Sequence, residues 1–217
     1  GKAVETLQRA AQIRMPGPDA YSAWQGAVLT FRGGPFRQNA AYGTVNVSQN
    51  SLTELWKVPV GSTKLSKSTV YGIAWPGQPI IVKWPTEVRN LMNLHAEKKN
   101  TTALKEVILA GQDGLIHFLD LTDGQETRAP IDIGAPSGSA ASIATNGTPI
   151  LGIGQSHSNL AKKQVSNGYH LYNLLNGKEL LLLDGRDKAA NTNYSGASGA
   201  ALFDKQTQTM VVGGQNG

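Results

Sequence analysis

A short apolar run that ends in Gly-Gln occurs three times in this sequence, and it constrains the fold more than any other feature. The copies end at Gly111-Gln112, Gly154-Gln155 and Gly214-Gln215, and the last two align without a gap at an offset of 60 residues. Asp113-Gly114 follows the first copy. Because Asx-Gly supplies the positive φ angles of a tight hairpin, each run is expected to turn directly into a partner strand. Repetition at tens of residues predicts stacked or radially arranged units.

The strand expected after the turn also repeats. Residues 115–126 and 168–179 share an alternating strand, an Asx-Gly turn and the start of another strand, at an offset of 53 residues. Successive antiparallel strands joined in this way are typical of a four-stranded blade. We therefore predict an all-β fold, a β-propeller built from four-stranded antiparallel blades. His117 and His170 occupy equivalent positions of the repeat, which indicates a structural role for both.

The composition is compatible with such a fold. Of the 217 residues, 40% are hydrophobic and 25 are glycine, which is enough for a buried core and for many turns. The chain contains no cysteine, which excludes disulfides, thiolate catalysis and Cys-ligated zinc. The net charge of +5 is spread along the chain and forms no dense basic stripe, so we expect no nucleic-acid partner. No apolar stretch is long enough for a membrane span.

Two helical segments are expected beside the strands. Residues 1–25 are interpreted as a leading helix or linker, because apolar residues recur at helical spacing before Pro16-Gly17. The segment from Pro85 to about Lys105 is predicted to be a helical insertion within one unit. Residues 26–217 otherwise form the propeller part, with further strands expected at 27–31, 51–61, 77–84 and 200–203.

Several stretches of the chain resemble known repeats. Residues 112–124 resemble the repeat of pyrroloquinoline-quinone-like β-propellers. Residues 30–43, 75–85 and 184–187 are similar to quinoprotein-like repeat proteins of clostridial-type Gram-positive bacteria. The resemblance covers nearly all of residues 26–217. It implies a propeller of about seven or eight blades, of which this chain would be the N-terminal part and supply about three to four.

The third Gly-Gln copy stops at Gly217 without the strand that should follow it. The propeller part is therefore expected to be truncated at its C-terminal end. An open half-ring would leave unpaired edge strands on its last blade. We expect either that a second chain supplies the missing remainder of the propeller or that this chain pairs with a copy of itself. The resemblance implies an extracellular or cell-envelope location in a bacterium.

In a quinone-dependent dehydrogenase, the resemblance implies a calcium-bound pyrroloquinoline quinone (PQQ) in the central channel. It also implies an Asp base, a carboxylate and an Asn on the metal, and an Arg near the quinone. Asp113, Arg186, Asp187 and Asn193 are candidates, but none lies in a motif that matches the catalytic ones. Residues 120–124 lack the spacing of a calcium loop and are explained as an Asx-Gly turn. We therefore predict no catalytic residue and no metal site.

The sequence thus predicts a non-catalytic binding or interaction module of the bacterial cell surface or envelope, with a protein or carbohydrate ligand and no cofactor. The alternative is a fragment of a PQQ-dependent oxidoreductase of alcohols or sugars, with PQQ and calcium as cofactors. The four tryptophans could stack on sugars, although packing between blades explains them better. The candidate ligand-binding residues are the polar groups expected at the channel and the loop mouth: Arg32, Arg37, Gln112, Gln155, Arg186 and Asp187.

Overall fold

The computed structural model describes residues 27–37, 44–74, 78–145, 148–162, 165, 167–186, 188, 192 and 194–215. The predicted leading segment 1–25 and the candidates Asp187 and Asn193 lie outside the described residues, as do Trp24 and Trp75. The described part is mostly β with short helices, so the all-β class is confirmed.

Strands make up most of the regular structure of these residues. In chain order the elements are the 3₁₀ turn Phe31–Gly33, β1 (Ser62–Lys64), β2 (Thr69–Tyr71), β3 (Ile80–Val82), α1 (Thr86–Leu91), α2 (Ala96–Lys99), β4 (Glu106–Ala110), β5 (Leu115–Asp120), β6 (Ile131–Asp132), β7 (Ser142–Ile143), β8 (Ile150–Gly154), β9 (Gly168–Asn173), β10 (Lys178–Asp184), β11 (Leu202–Asp204) and β12 (Thr209–Val211).

The strands form two four-stranded sheets and two hairpins, and all strand pairs are antiparallel. The first sheet has the order β3-β4-β5-β6, and the second sheet has the order β7-β8-β9-β10. β11 and β12 form a third pair, and β1 and β2 form a separate hairpin. The four-stranded antiparallel unit that the repeat predicts is therefore present twice in succession, and the third pair lies 60 residues after β7 and β8.

The Asx-Gly turns after β5 and β9 form as predicted. The side chains of Asp120 and Asn173 each accept the backbone N–H two residues further on, at 2.9 Å in both turns. Gly124 and Gly177 then adopt φ angles of +71° and +73°. Glycine is favoured at both places because an L side chain is strained in this conformation.

The first Gly-Gln copy turns directly into the next strand. The Gly111 N–H donates to Leu115 O at 2.9 Å, and Gly114 adopts a φ of +81°. These contacts confirm the tight hairpin predicted for this copy.

The same prediction is wrong for the second copy, where residues 155–167 separate β8 from β9. Ser156-His157 stands there in place of Asx-Gly, so the residues that favour a two-residue turn are absent. The loop instead crosses to the β1–β2 hairpin, where Leu160 forms a β-bridge with Leu65.

The main hydrophobic core lies between the first and second sheets. The segment predicted as a strand at 27–31 crosses this core. Val28 forms a bridge with Ile81 of β3, and Leu29 O accepts the Ile143 N–H of β7 at 2.8 Å. Because the segment is shared between the first strands of two sheets, it forms one bridge rather than a strand.

The predicted helical insertion, Pro85 to Lys105, contains two short helices instead of one long helix. Between α1 and α2, the Asn93 N–H donates to Leu175 O at 3.0 Å and the His95 N–H donates to Thr127 O at 2.9 Å. These bonds fix the backbone to the turn of the second sheet and to the outer part of the first sheet. The helix is interrupted because its backbone donors are used elsewhere.

Residues 51–61 contain no strand, although one was predicted there. Trp56 is the anchor of this segment: its indole N–H donates to Leu121 O at 2.9 Å, and its ring lies against Gly124, where a Cβ would come within 2.7 Å. Trp84 is buried and its indole N–H donates to Glu106 at 2.7 Å. Both described tryptophans therefore pack within the fold.

An ionic cluster is buried in the first sheet. Glu106 is fully buried and Arg128 is 2% exposed. The Glu106 carboxylate accepts hydrogen bonds from Arg128 Nε at 2.9 Å and from Arg128 Nη2 at 2.5 Å. Arg128 Nη1 donates to Leu174 O, and the guanidinium lies over the Phe118 ring at 4.5 Å. The cluster joins the two sheets, because Leu174 follows β9.

Candidate ligand cleft

The three Gly-Gln copies are brought together by the linkers between the sheets. The first linker, residues 133–139, connects the first sheet to the second. Its Ser137 N–H donates to Gly111 O at 3.1 Å, and its Ser137 Oγ donates to Gly154 O at 2.7 Å. One linker residue therefore contacts the first and second copies.

The second linker, residues 194–199, connects the second sheet to the third pair and makes similar contacts. The Ala197 N–H donates to Gln155 O at 2.9 Å, and Gly196 O accepts the Gln215 N–H at 2.9 Å. All three copies thus lie at one end of the strands, which we call the Gly-Gln end.

The close approach of the second linker explains the glycine of the second copy. A Cβ on Gly154 would overlap the Ala197 carbonyl, and a Cβ on Gly111 would overlap the side chains of Asp113 and Val60. Only glycine leaves room for a backbone at this distance. Glycine is therefore required by a backbone contact at the second copy, whereas the glycine of the first copy lies against side chains.

The β1–β2 hairpin packs on the same end. The Gln112 N–H donates to Gly72 O at 2.7 Å, and the Gly61 N–H donates to Asp113 Oδ2 at 3.1 Å. On its other side the hairpin is joined to the second loop, because the Ala161 N–H donates to Lys64 O at 2.9 Å. The hairpin is thus fixed above the first two Gly-Gln copies.

A polar cleft of ≈ 520 Å³ opens between the hairpin tip, the loop after the second copy and the second linker. This volume lies within the range of small-ligand sites. The residues that line it are Leu65, Ser66, Lys67, Ser68, Ser156, His157, Ser158, Asn159, Asn167, Tyr194, Ser195, Gly196 and Gln215.

The cleft offers hydrogen-bond donors and acceptors but little charge. Hydroxyl and amide groups dominate its lining, and no Asp or Glu is among the described lining residues. In its floor, the buried Ser195 Oγ donates to the Asn167 side-chain oxygen. Tyr194 is 71% exposed at the rim and presents an aromatic face. Lys67 adds one positive charge at the hairpin tip, so the site suits a polar ligand that is neutral or negatively charged.

The predicted ligand-binding glutamines lie beneath this surface. Gln112 is 6% and Gln155 is 1% exposed, and the Gln155 side-chain N–H donates to Ile133 O. The side-chain oxygens of Gln112 and Gln155 are buried without a partner in the described structure. Both residues support the strand ends, and neither lines the cleft.

The predicted arginines lie at the same end but also outside the cleft lining. Arg37 Nη1 donates to Thr30 Oγ1 at 2.9 Å, and Arg37 Nη2 donates to Ala200 O at 3.0 Å. Arg32 is exposed beside them with a φ of +52°. Arg186 is exposed after β10. Their role in binding stays a prediction.

Sequence reasoning missed the residues that line the cleft, because they come from four separate segments. Tyr194, Asn159, Asn167 and Ser66 are ordinary loop residues when considered one at a time. The available signal was compositional: Ser66-Lys67-Ser68 and residues 156–159 are the most polar stretches next to the repeats.

Both repeat histidines pair with carboxylates of their own sheets. His117 Nε2 lies 2.9 Å from Asp113 Oδ2, and His170 Nδ1 lies 2.5 Å from Glu179 Oε1. The described residues contain no group of three or more His, Cys, Asp or Glu side chains that could hold a metal ion. The paired contacts are compatible with the structural role predicted for the two histidines.

The comparisons with known proteins leave the family open. No protein-family model matches this sequence, and no curated protein matches it. Among the described residues, no helix is long and apolar enough to cross a membrane.

Proposed function

We propose that this chain is a non-catalytic β-propeller-type binding module, and that it binds a carbohydrate in the cleft at the Gly-Gln end. The propeller assignment is supported by two consecutive four-stranded antiparallel sheets, each followed by a linker that contacts the Gly-Gln end. Propellers commonly present loops at one end of their blades, and such loops suit recognition.

The observation that carries the proposed function is the lining of the cleft. Sugars present hydroxyl groups that both donate and accept hydrogen bonds, and Ser, Asn and Gln side chains match this pattern. Sugar rings also have apolar faces, which stack on exposed aromatic side chains such as Tyr194. A location at the bacterial cell surface or envelope fits this function and remains part of the proposal.

The alternative, a PQQ-dependent oxidoreductase, has no observation in its favour among the described residues. A calcium-bound quinone needs carboxylate and amide ligands that converge on one point. The cleft provides amide groups but no carboxylate among its described residues. The chain's own residues therefore do not fit that group in the cleft.

A direct test titrates the full chain with a panel of neutral mono- and oligosaccharides by isothermal calorimetry. Tyr194→Ala is expected to weaken binding of the sugar that binds by about tenfold, because the stacking face is lost. Tyr71→Ala is the matched control, since Tyr71 is 72% exposed on β2 and does not line the cleft. Its affinity should equal that of the wild type.

Two results would contradict the proposal. The first is a lack of binding to every sugar of the panel, and the second is an equal loss of affinity in both tyrosine variants. Dye reduction by the chain with PQQ, calcium and an alcohol or sugar would support the oxidoreductase instead.

A further inference from the structure

The two long walls of the cleft contain basic residues and no acidic ones. Lys67 lies at the tip of the β1–β2 hairpin and lines the cleft. The sequence has no Asp or Glu from residue 55 to residue 86, a span that includes the hairpin. It has none from residue 133 to residue 178 either, a span that includes the loop after the second Gly-Gln copy. All 15 acidic residues of the chain therefore lie outside both walls.

Two further lysines belong to these walls. The Ala161 N–H donates to Lys64 O at 2.9 Å, so Lys64 of the hairpin and Lys162 of the loop lie where the two walls are joined. Lys64, Lys67 and Lys162 are all exposed. In the part of the chain that the structure describes, no carboxylate lies within ion-pair distance of any of the three. Their positive charges are therefore not neutralised by the protein.

The carboxylates nearest to the cleft along the backbone do not cancel this charge. Asp113 accepts the Gly61 N–H at 3.1 Å and lies 2.9 Å from His117 Nε2, so it is bound beneath the hairpin. Asp184 ends β10 and is followed closely by the exposed Arg186. Neither carboxylate is among the residues that line the cleft.

We propose that the cleft selects an acidic carbohydrate, whose sugar units carry a carboxylate or a sulfate group. This inference rests on the proposed function, because the hydroxyl and amide lining and Tyr194 would hold the sugar rings. It adds a role for Lys67, whose ammonium group would pair with the anionic group at the hairpin tip. Lysines without carboxylate partners also attract an anion before contact, which raises its association rate.

The lining favours an acidic sugar over a nucleic acid. Proteins that bind single-stranded nucleic acids combine a positive groove with several aromatic side chains, on which successive bases stack. Tyr194 is the one Phe, Tyr or Trp side chain among the described residues that line the cleft. The cleft therefore offers one stacking face beside many hydrogen-bonding groups, which suits sugar rings better than a series of bases.

Isothermal calorimetry of the full chain tests the charge with pairs of ligands that differ in charge alone. One pair is a trimer of galacturonic acid and its methyl ester, and the other is a sulfated galactose oligosaccharide and its desulfated form. In at least one pair the acidic member should bind at least about fivefold more tightly, since an exposed ion pair contributes up to about this factor. Raising the NaCl concentration from about 50 mM to about 500 mM should reduce the difference. The pair with the larger difference distinguishes a carboxylate from a sulfate.

Variants of Lys67 assign the preference to the cleft. Lys67→Met should weaken binding of the acidic ligand by about fivefold and leave binding of its neutral form unchanged, which also verifies that the variant is folded. Lys67→Arg retains the charge and should retain the preference. Lys178→Met is the matched control, because Lys178 is exposed at the other end of β10, roughly 20 Å along the strand from Asp184. It should bind both ligands as the wild type does.

Three results would overturn the inference. They are equal affinities within every pair, an equal loss in Lys67→Met and Lys178→Met, and a uridylate oligomer that binds as tightly as the acidic sugar. In the first two cases sugar binding remains, so the proposed function stands without the selection for charge. If no sugar of either kind binds, the proposed function fails and the inference fails with it.

Discussion

The first and second sheets share a strand order, a turn and a set of contacts at the Gly-Gln end, yet their interiors differ. In the first sheet Glu106 pairs in register with Asp120 and holds Arg128. In the second sheet Ile150 takes the register position of Glu106, opposite Asn173. The same register position is thus occupied by a charged residue in the first sheet and by an apolar residue in the second. The strand arrangement therefore does not determine whether this core position is charged or apolar.

The surroundings of the two sheets differ in the same way. The helical insertion packs on the first sheet, where Lys98 of α2 contacts Asp120 at 2.8 Å and Asp123 at 3.1 Å. The second sheet has no such insertion among the described residues, and its β10 is exposed. The two sheets share the residues that the backbone geometry requires. These are glycine at the strand end near a linker and an Asx side chain at the turn.

The largest effect is expected from the ionic cluster of the first sheet. Arg128→Met would leave the Glu106 carboxylate buried without its cation, and breaking a buried pair in this way costs about 3–5 kcal/mol of unfolding free energy. Adding Glu106→Leu should recover most of the loss, because a well-packed apolar pair can replace a buried ionic one. Urea unfolding followed by tryptophan fluorescence measures both variants.

The matching position of the second sheet supplies the control. Ile150→Val removes one methyl group from an apolar site and should cost about 0.5–1.5 kcal/mol. If Arg128→Met lost no more than Ile150→Val, the ionic cluster would be dispensable and the two cores would be equivalent in energy.

The next largest loss of stability is expected when glycine is replaced in the second Gly-Gln copy, and the first copy should lose less. Gly154→Ala would push a Cβ into the Ala197 backbone carbonyl, which cannot move without the second linker, and overpacking of this kind costs about 1–3 kcal/mol. Gly111→Ala meets the side chains of Asp113 and Val60, which can rotate away, so its cost should be smaller. Thermal unfolding of the two variants compares them. Equal losses would contradict the backbone contact as the reason that Gly154 is glycine.

The sequence predicts these shared features well because they depend on local geometry. Glycine at positive φ and an Asx side chain at a turn are recognisable in a few residues, so the turns at Gly124 and Gly177 were predicted correctly. The segments at 27–31 and 51–61 were predicted as strands and are not, since a strand also requires a free partner, which periodicity alone does not reveal.

The cleft, in contrast, could not be predicted from local sequence. Its lining depends on which loops meet in space, and the Leu65–Leu160 bridge joins the hairpin to the second loop. The predicted site residues are the polar groups expected at the channel and the loop mouth, and two of them, Gln112 and Gln155, occupy repeated positions. Repeated positions carry the contacts that hold the sheets together, as the burial of Gln112 and Gln155 shows.

The smallest expected change in unfolding free energy concerns the equivalent turn residues Asp120 and Asn173. Desolvation alone would raise the pKa of the Asp120 carboxyl, but hydrogen bonds from Lys98 and from the Thr122 backbone outweigh it and hold that pKa below its usual value. Desolvation likewise opposes the charge of Lys98, yet its bonds to Asp120 and Asp123 raise the Lys98 pKa. The pair is therefore fully charged at neutral pH.

A carboxyl whose pKa is lower in the folded than in the unfolded state adds stability above the unfolded value and loses it as the pH falls. Wild type should thus lose more unfolding free energy than Asp120→Asn between about pH 6 and about pH 3, by about 1 kcal/mol for one ionic hydrogen bond. Asp120→Asn gives the first sheet the amide that the second sheet already has at Asn173. Urea unfolding across that pH range, with Asn173→Asp as the reciprocal variant, decides the point. Lys178 lies directly opposite Asn173 in the β9–β10 pair but is exposed, whereas Lys98 is buried against Asp120. The reciprocal variant should therefore gain a smaller pH dependence, and an equal gain would mean that the turn, rather than Lys98, lowers the pKa.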